Sequence, residues 1–362
     1  MKKTNVYVIF GGKSGEHEVS IRSARSVAEA IDKEKYTVIP LGIAKDGTWV
    51  YGEEADKALA SYEKMDRGET KEVLPPLPVA RELIELTKNE EFPPVVFPVL
   101  HGPYGEDGTI QGMLEMMNVP YVGSGVLGSS LGMDKVLQKQ VFQQYGLPVV
   151  PFTWFLKKEW KDDRNTILAK IKKIGLFPYF VKPANLGSSV GISKAHNEKE
   201  LFDAIEFAGM YDRKIIVEKG LEYIREIEVS ILGNDEPEAS VCGEITPSNE
   251  FYNYDAKYND DTTQLAIPAS ISEDVQLRIQ TIAKKAFQAL DCSGFSRVDF
   301  FLEKKTNKIW LSEVNTIPGF TSISMYPKLW KATGISYKKL IGKLIELGIE
   351  RWREKQQLAT SL

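Results

Sequence analysis

Apolar and polar positions alternate in blocks along this chain. A short apolar run, Asn5-Val-Tyr-Val-Ile-Phe10, meets a glycine turn, Gly11-Gly-Lys-Ser-Gly15, and apolar positions at Val19, Ala24, Val27 and Ile31 then keep helical spacing. The pattern predicts strand, loop, helix. Further strands over Thr37–Ile43 and Pro94–Leu100, separated by a polar, helix-compatible stretch, predict an open α/β sheet over about the first 120 residues. Ligands of such a sheet gather at the carboxyl ends of its strands, where Gly11-Gly12 and the segment from His101 to Gly108 fall. From Tyr121 the texture becomes rich in glycine and serine as far as Ser130, and a helical run follows through Lys135, Gln138 and Phe142. A boundary belongs there. Beyond it the pattern predicts strands over Tyr179–Lys182, Lys214–Glu218 and Ile227–Leu232, and helices near Glu200–Ala208 and Val275–Leu290. A polar loop lies around Pro247–Pro268, and two strands follow the second helix. Leu340, Ile341, Leu344, Ile345, Ile349 and Trp352 mark a packing helix near the end.

Composition narrows the function. The chain has 362 residues, too many for one ordinary core, so two or three domains are expected. A net charge of −4 supplies no positive field for nucleic acid, and no apolar run reaches the roughly 18 residues of a membrane span. The apolar stretch Val6–Phe10 is also short of a signal peptide's core. Cys242 and Cys292 cannot make a disulfide framework or a thiolate zinc site, and they read as buried thiols of a cytoplasmic protein. Three histidines, His17, His101 and His196, exclude a histidine cluster.

Chemistry concentrates late in the chain. Phe295–Glu303 and Ile309–Asn315, joined by a polar turn, read as a hairpin; pairing Glu303 with Ile309 sets Asp299 opposite Glu313 and Arg297 opposite Asn315 on one side. Opposed carboxylates repel unless a cation lies between them, and an oxygen-only set of Asp, Glu and Asn suits Mg²⁺. The alternatives are a solvated charge pair and a register shifted by one. In Val181-Lys-Pro-Ala-Asn-Leu-Gly-Ser-Ser-Val-Gly191, backbone N–H groups, two hydroxyls and Lys182 could cradle phosphate, although a plain turn would use the same glycines. Glu16 and Glu18 precede a helix, where the dipole favours any carboxylate; one of them could instead bind an ammonium group. Taken alone, Lys135 reads as a solvated helix residue, Lys257 and Tyr258 as loop residues, and His101 as a hydrogen-bonded loop histidine.

Together the segments resemble a known family. Gly11-Gly-Lys-Ser-Gly-Glu-His-Glu-Val-Ser20, Leu100-His-Gly-Pro-Tyr-Gly-Glu-Asp-Gly108, Met133-Asp-Lys135, Lys182–Gly191, Arg225-Glu-Ile-Glu228, Tyr254-Asp-Ala-Lys-Tyr258 and Glu313-Val-Asn-Thr-Ile-Pro-Gly-Phe-Thr321, in this order, resemble D-alanine:D-alanine ligases of the ATP-grasp superfamily. The resemblance implies an α/β, ATP-grasp fold of three α/β domains. The first, residues 1–123, would be an open-sheet domain with the first D-alanine site. Residues 124–217 would be the central ATP-grasp domain, and 218–362 the C-terminal one, with the metal and the second D-alanine site. It further implies ATP between the last two domains, two Mg²⁺ with Mn²⁺ as an alternative, two D-alanine molecules as substrates, and a cytoplasmic homodimer serving peptidoglycan precursor synthesis.

Carried over by residue, the resemblance sets Lys135, Lys182, Ser189 and Lys257 among the ATP-binding groups, with loop Gly187–Gly191 closing over the phosphates. Glu218, Lys219 and Leu221 would meet adenine, and Glu226 the ribose. Asp299, Glu313 and Asn315 become metal ligands. Glu16 would hold the first D-alanine's ammonium with His101 nearby, and a chain of hydrogen bonds through Glu16, Ser188 and Tyr258 would close the loop. Arg297 and the Gly319 N–H would form an oxyanion hole, with Ser324 and Met325 at the second carboxylate. Two other functions compete: a depsipeptide or different dipeptide made on the same scaffold, and a non-catalytic nucleotide-binding regulator. Tyr258 speaks against the ester, whose makers the resemblance associates with Phe there, and the oxyanion arginine speaks against the regulator.

Overall fold

A computed structural model describes residues 3–60, 93–246, 264–321 and 323–359, so Lys257 and Tyr258 lie outside the described residues. The first sheet is built from β1 (Thr4–Gly11), β2 (Tyr36–Ile43), β3 (Trp49–Tyr51) and β4 (Val95–Pro98), with helices α1 (His17–Ala30), α2 (Glu53–Ala60) and α3 (Thr109–Met116). Its order is β3-β2-β1-β4, parallel except for β3 at the edge. The strand Val6–Phe10 is buried throughout, which is why its sequence is a continuous apolar block and not an alternating one. The expected open α/β sheet is present, and its strands β1 and β4 both point their carboxyl ends toward Gly12 and His101.

Two helices follow, α4 (Val126–Met133) and α5 (Lys135–Gln144). The Asp134 side chain caps α5 by accepting from the N–H groups of Val136 and Leu137. The second sheet comprises β5 (Phe152–Leu156), β6 (Tyr179–Pro183), β7 (Ser193–Ala195) and β8 (Lys214–Lys219), in the order β5-β8-β6-β7, with α6 (Lys157–Asp162), α7 (Arg164–Lys172) and α8 (Glu198–Ala208) beside it. The third comprises β9 (Ile224–Gly233), β10 (Glu238–Thr246), β11 (Gln264–Ala266), β12 (Gly294–Glu303) and β13 (Ile309–Asn315). It is antiparallel, ordered β11-β10-β9-β12-β13, and carries α9 (Glu273–Ala289), α10 (Met325–Ala332) and α11 (Tyr337–Gln356). We propose the division at 1–123, 124–217 and 218–362 on these three sheets, with β8 running on past the second boundary to Lys219.

The last helix bridges its own sheet and the first. Leu340, Ile341, Leu344 and Ile345 of α11 join Val6, Val8, Val27 and Phe97 in one core, to which Phe295 and Phe320 also belong. Arg351 donates to the Gly123 carbonyl at 2.6 Å, and the Trp352 indole donates to the Asn118 carbonyl at 3.0 Å. The first and third sheets are therefore fastened by a common apolar core, while the second sheet has a separate one around Phe155, Trp160 and Val181. Cys242 and Cys292 are buried, and burial pushes each thiol up to about 12, as inert structural cysteines require.

Candidate active site

Three strands of the third sheet assemble a row of carboxylates. Asp299 on β12 is opposite Glu228 on β9 and Glu313 on β13, and residues directly opposite share a face. The register is not the uniform one expected from the turn. Ile309 pairs with Leu302 and Leu311 with Phe300; a bulge then inserts Ser312, and only past it do Asp299–Glu313 and Arg297–Asn315 align. The reason is burial. Leu302, Phe300 and Val298 point into the core with Ile309, Leu311 and Val314, and the gap from 311 to 314 can keep those apolar residues together only if one residue bulges out.

Arg297 neutralises part of the row. Its guanidinium donates twice to Asp299, from Nε and Nη2, at 2.7 Å each, and lies 3.1 Å from Glu228. Asn315 donates its amide to Asp299 at 3.0 Å. Burial alone would lower the arginine's pKa, but Asp299 and Glu228 hold it well above the usual value. Three carboxylates share one guanidinium, with Lys135 standing 3.5 Å from Glu313. The arrangement has room for more positive charge. Among the described residues no cluster of three or more His, Cys, Asp or Glu side chains closes into a metal cage. Mg²⁺ seldom needs one, since it is held by one or two carboxylates together with water and substrate phosphates. The donor chemistry of Asp299, Glu313 and Asn315 fits it.

Facing this row are lysines from α5 and β6. Lys135 donates to the Leu186 carbonyl at 2.7 Å, placing its ammonium beside the glycine loop. Lys182 is not a free point charge: it donates to the buried Glu218 at 2.7 Å, and Lys139 stands 2.9 Å from the other oxygen of that carboxylate. Burial would raise Glu218, yet the two ammonium groups bring it down to about 2. Burial lowers Lys139 more than Glu218 restores, with Lys182 adding repulsion, whereas Glu218 and Glu313 hold Lys182 above its usual value against burial. Because the folded pKa is depressed, the stabilisation from Glu218 is fully present above pH 4.5 and lost as pH falls toward 2. The stability gap between wild type and Glu218→Gln should therefore narrow on acidification, by at most on the order of 3 kcal/mol, as read from urea unfolding at a series of pH values. A gap independent of pH would mean that the pairing contributes nothing.

The loop between β6 and β7 reaches the first domain. Ser188 and Ser189 are both in left-handed backbone conformation, at φ 49° and 59°, which is strained for non-glycine residues. The strain coincides with a contact, since Ser188 donates its hydroxyl to Glu16. Gly187 and Gly102 pack on the other Glu16 oxygen so closely that a Cβ would lie 2.9 and 3.0 Å from it. His101 is buried beneath, with Nδ1 3.1 Å from the Ile317 carbonyl and 3.4 Å from Glu106, and Nε2 3.3 Å from Ser23. Burial opposes charge on His101, but Glu106 and Glu16 raise its pKa; burial, with Glu16 adding, raises Glu106.

The remaining expected residues have contacts of their own. Gly319 packs against Ser324, whose hydroxyl turns back to Thr321 instead of capping α10, and the Met325 side chain is buried against Gly243. Glu226 is near enough to Lys182 to raise its pKa. The Glu218 side chain is committed to lysines, and the Lys219 side chain lies along Gly175. Tyr258, the third member of the expected chain of hydrogen bonds, and Lys257 are outside the described residues. Sequence reasoning missed Lys139, Glu228 and Glu106. Lys139 had a signal, being one helical turn after Lys135, and Glu228 shares strand parity with Glu226.

The comparisons with known proteins agree with one another. Family models described as D-ala D-ala ligase N-terminus and D-ala D-ala ligase C-terminus match residues 5–124 and 141–346. The D-alanine–D-alanine ligase of Chloroherpeton thalassium is 50% identical, covering 98% of this chain and 99% of its own length. That of Bacillus licheniformis is 49% identical over the same shares of both chains. Among solved structures, the D-alanine–D-alanine ligase of Coxiella burnetii superposes with a TM-score of 0.82 at 34% identity, covering 99% of this chain and 97% of that one. The VanG D-Ala:D-Ser ligase of Enterococcus faecalis also gives 0.82, at 36% identity, covering 96% and 100%.

Proposed function

This chain belongs to the D-alanine–D-alanine ligase family, and we propose from its geometry how it carries out that family's reaction and with which residues. The enzyme joins two D-alanines at the expense of ATP, an ADP-forming ligation that serves peptidoglycan synthesis. The observation that carries the reading of the site is the opposition of the Lys135, Lys139 and Lys182 group to the row Glu228–Asp299–Glu313, under a loop tied to Glu16.

A carboxylate is a poor electrophile, so the first D-alanine must be activated as an acyl phosphate. Glu16 receives its ammonium, with His101 and Glu106 holding the wall behind. Lys135 and Lys182 meet the ATP phosphates, and the strained N–H groups and hydroxyls of Ser188 and Ser189 cover them. With the Glu218 side chain taken by lysines, adenine is left to the segment from Lys219 to Leu221, and the ribose to Glu226. Asp299, Glu313 and Asn315 would hold Mg²⁺, or Mn²⁺ in its place; bound there, the metal supplies positive charge to the phosphate oxygens. The second D-alanine presents its carboxylate to the N-terminus of α10 at Ser324 and Met325, where the helix dipole favours an anion. Its amine attacks the activated carbonyl, Arg297 and the Gly319 N–H stabilise the oxyanion, and phosphate leaves. A closed loop matters because water would hydrolyse the acyl phosphate. The homodimer and the cytoplasmic location rest on family membership alone; among the described residues no helix is long and apolar enough to cross a membrane.

Acceptor choice gives the test. Incubation with ATP, Mg²⁺, D-alanine and competing D-lactate or D-serine should yield D-alanyl-D-alanine as the main product, with ADP and phosphate in equal amounts. Mainly ester or mainly mixed dipeptide would support another ligation on the same scaffold. Tyr258→Phe should shift the ester-to-dipeptide ratio by about tenfold, most visibly at low pH, where the competing amine is protonated; one lost hydrogen bond is worth about 1 kcal/mol and more if Glu16 is left unpaired. An unaltered ratio would move discrimination to Ser324 and Met325.

A further inference from the structure

One buried cation is left without a role in this mechanism. Lys139 lies one turn beyond Lys135 on α5 and is only 3% exposed, so its ammonium must be held by acceptors. It has two, and they belong to different sheets. One is Glu218 on β8, at 2.9 Å; the other is the carbonyl of Ser312 on β13, at 3.0 Å. Ser312 is the extra residue of the bulge. Its neighbour on the helix, Gln138, both donates to the Val314 carbonyl and accepts from the Val314 N–H, at 3.1 Å each. Since β13 is the edge of its sheet, α5 supplies the hydrogen bonds a further strand would have supplied, on both sides of Glu313. Without the bulge Glu313 would turn to the core face, because side chains alternate along a strand.

We propose that Lys139 is a positioning residue for phosphoryl transfer, its ammonium pinning the Ser312 bulge that presents Glu313 beside Asp299 while bracing Glu218 against Lys182. The inference rests on the reading of Asp299, Glu313 and Asn315 as metal ligands, and its test separates the two. Lys139→Met, Lys139→Arg and Glu313→Gln are compared with wild type for Mg²⁺ dependence of turnover, for calorimetric affinity for ADP in the presence of Mg²⁺, for D-alanine KM and for thermal stability. Residues that orient metal ligands typically change metal affinity by about 10- to 100-fold. Lys139→Met should therefore raise the Mg²⁺ requirement and weaken ADP binding by at least about tenfold, with D-alanine KM unchanged. A variant that melts earlier yet keeps wild-type Mg²⁺ dependence and ADP affinity would overturn the proposal, leaving Lys139 a packing residue. Should Lys139→Met not fold, Lys139→Arg decides: its planar fork cannot occupy the ammonium's position, so a loss in the same direction is expected, and wild-type behaviour overturns the role. If Glu313→Gln raises the Mg²⁺ requirement while both Lys139 variants do not, only the Lys139 inference falls; if Glu313→Gln leaves it unchanged, the metal reading falls and this inference with it.

Discussion

Glu313→Gln should cut turnover by roughly two to three decades and raise the Mg²⁺ concentration needed for half-maximal activity, because a charged group proposed as a metal ligand gives way to a neutral amide of the same shape. Charge stabilisation by a bound metal is worth several kcal/mol, and each 1.36 kcal/mol is about a decade of rate. The substitution should be nearly silent in stability. Glu313 lies on the edge strand with its side chain 28% exposed, where the loss of a charge costs little. Glu303→Gln is the matching control on the same hairpin, since the Glu303 side chain accepts from Thr306 in its turn and from Trp310. Steady-state rates across a Mg²⁺ series check both variants, and an unchanged Mg²⁺ dependence for Glu313→Gln would remove it from the metal site.

Arg297→Met should be damaging in two ways at once. The guanidinium is bound directly to Asp299 and Glu228, and all three side chains are less than a fifth exposed, at 18%, 18% and 8%. Removing the guanidinium from beside two carboxylates should cost about 2–4 kcal/mol, visible as an earlier thermal transition. Loss of the proposed oxyanion donor should lower kcat by about 10²- to 10³-fold. The two effects separate on adding Mg²⁺, which should restore much of the melting temperature by neutralising the row and none of the oxyanion stabilisation. Arg297→Lys should recover stability in part and rate hardly at all, because lysine cannot reproduce the two parallel bonds at 2.7 Å. Near wild-type kcat in Arg297→Met would confine the arginine to a structural counter-ion.

What the sequence made legible follows from local rules. Strand β1 and helix α1 announced themselves through an apolar block and a helical period, and the carboxyl ends of β1 and β4 do carry the glycine turn and His101. Asp299 and Glu313 were paired from strand alternation, but for an incomplete reason. A uniform register would have put Ile309 and Leu311 on the charged face; the spacing of apolar positions 309, 311 and 314 already contained the bulge that prevents this. Lys182 and Glu218 could be read only as separate strand-end charges, because nothing local says that they, together with Lys139, become one buried cluster. The same holds for His101, whose partners Ser23, Glu106 and Ile317 come from three segments of the chain. Local periodicity places elements; pairing of buried charge is decided by how the sheets meet.

In the proposed mechanism, phosphoryl transfer to the first D-alanine's carboxylate, at the lysine and carboxylate groups, precedes amide formation. It is tested most directly by supplying ATP, Mg²⁺ and D-alanine labelled with ¹⁸O in the carboxylate and weighing the phosphate released by the wild-type enzyme. An acyl phosphate requires that one carboxylate oxygen leave with the phosphoryl group, so each phosphate formed with the dipeptide should carry one ¹⁸O. Dipeptide formed with unlabelled phosphate would contradict it.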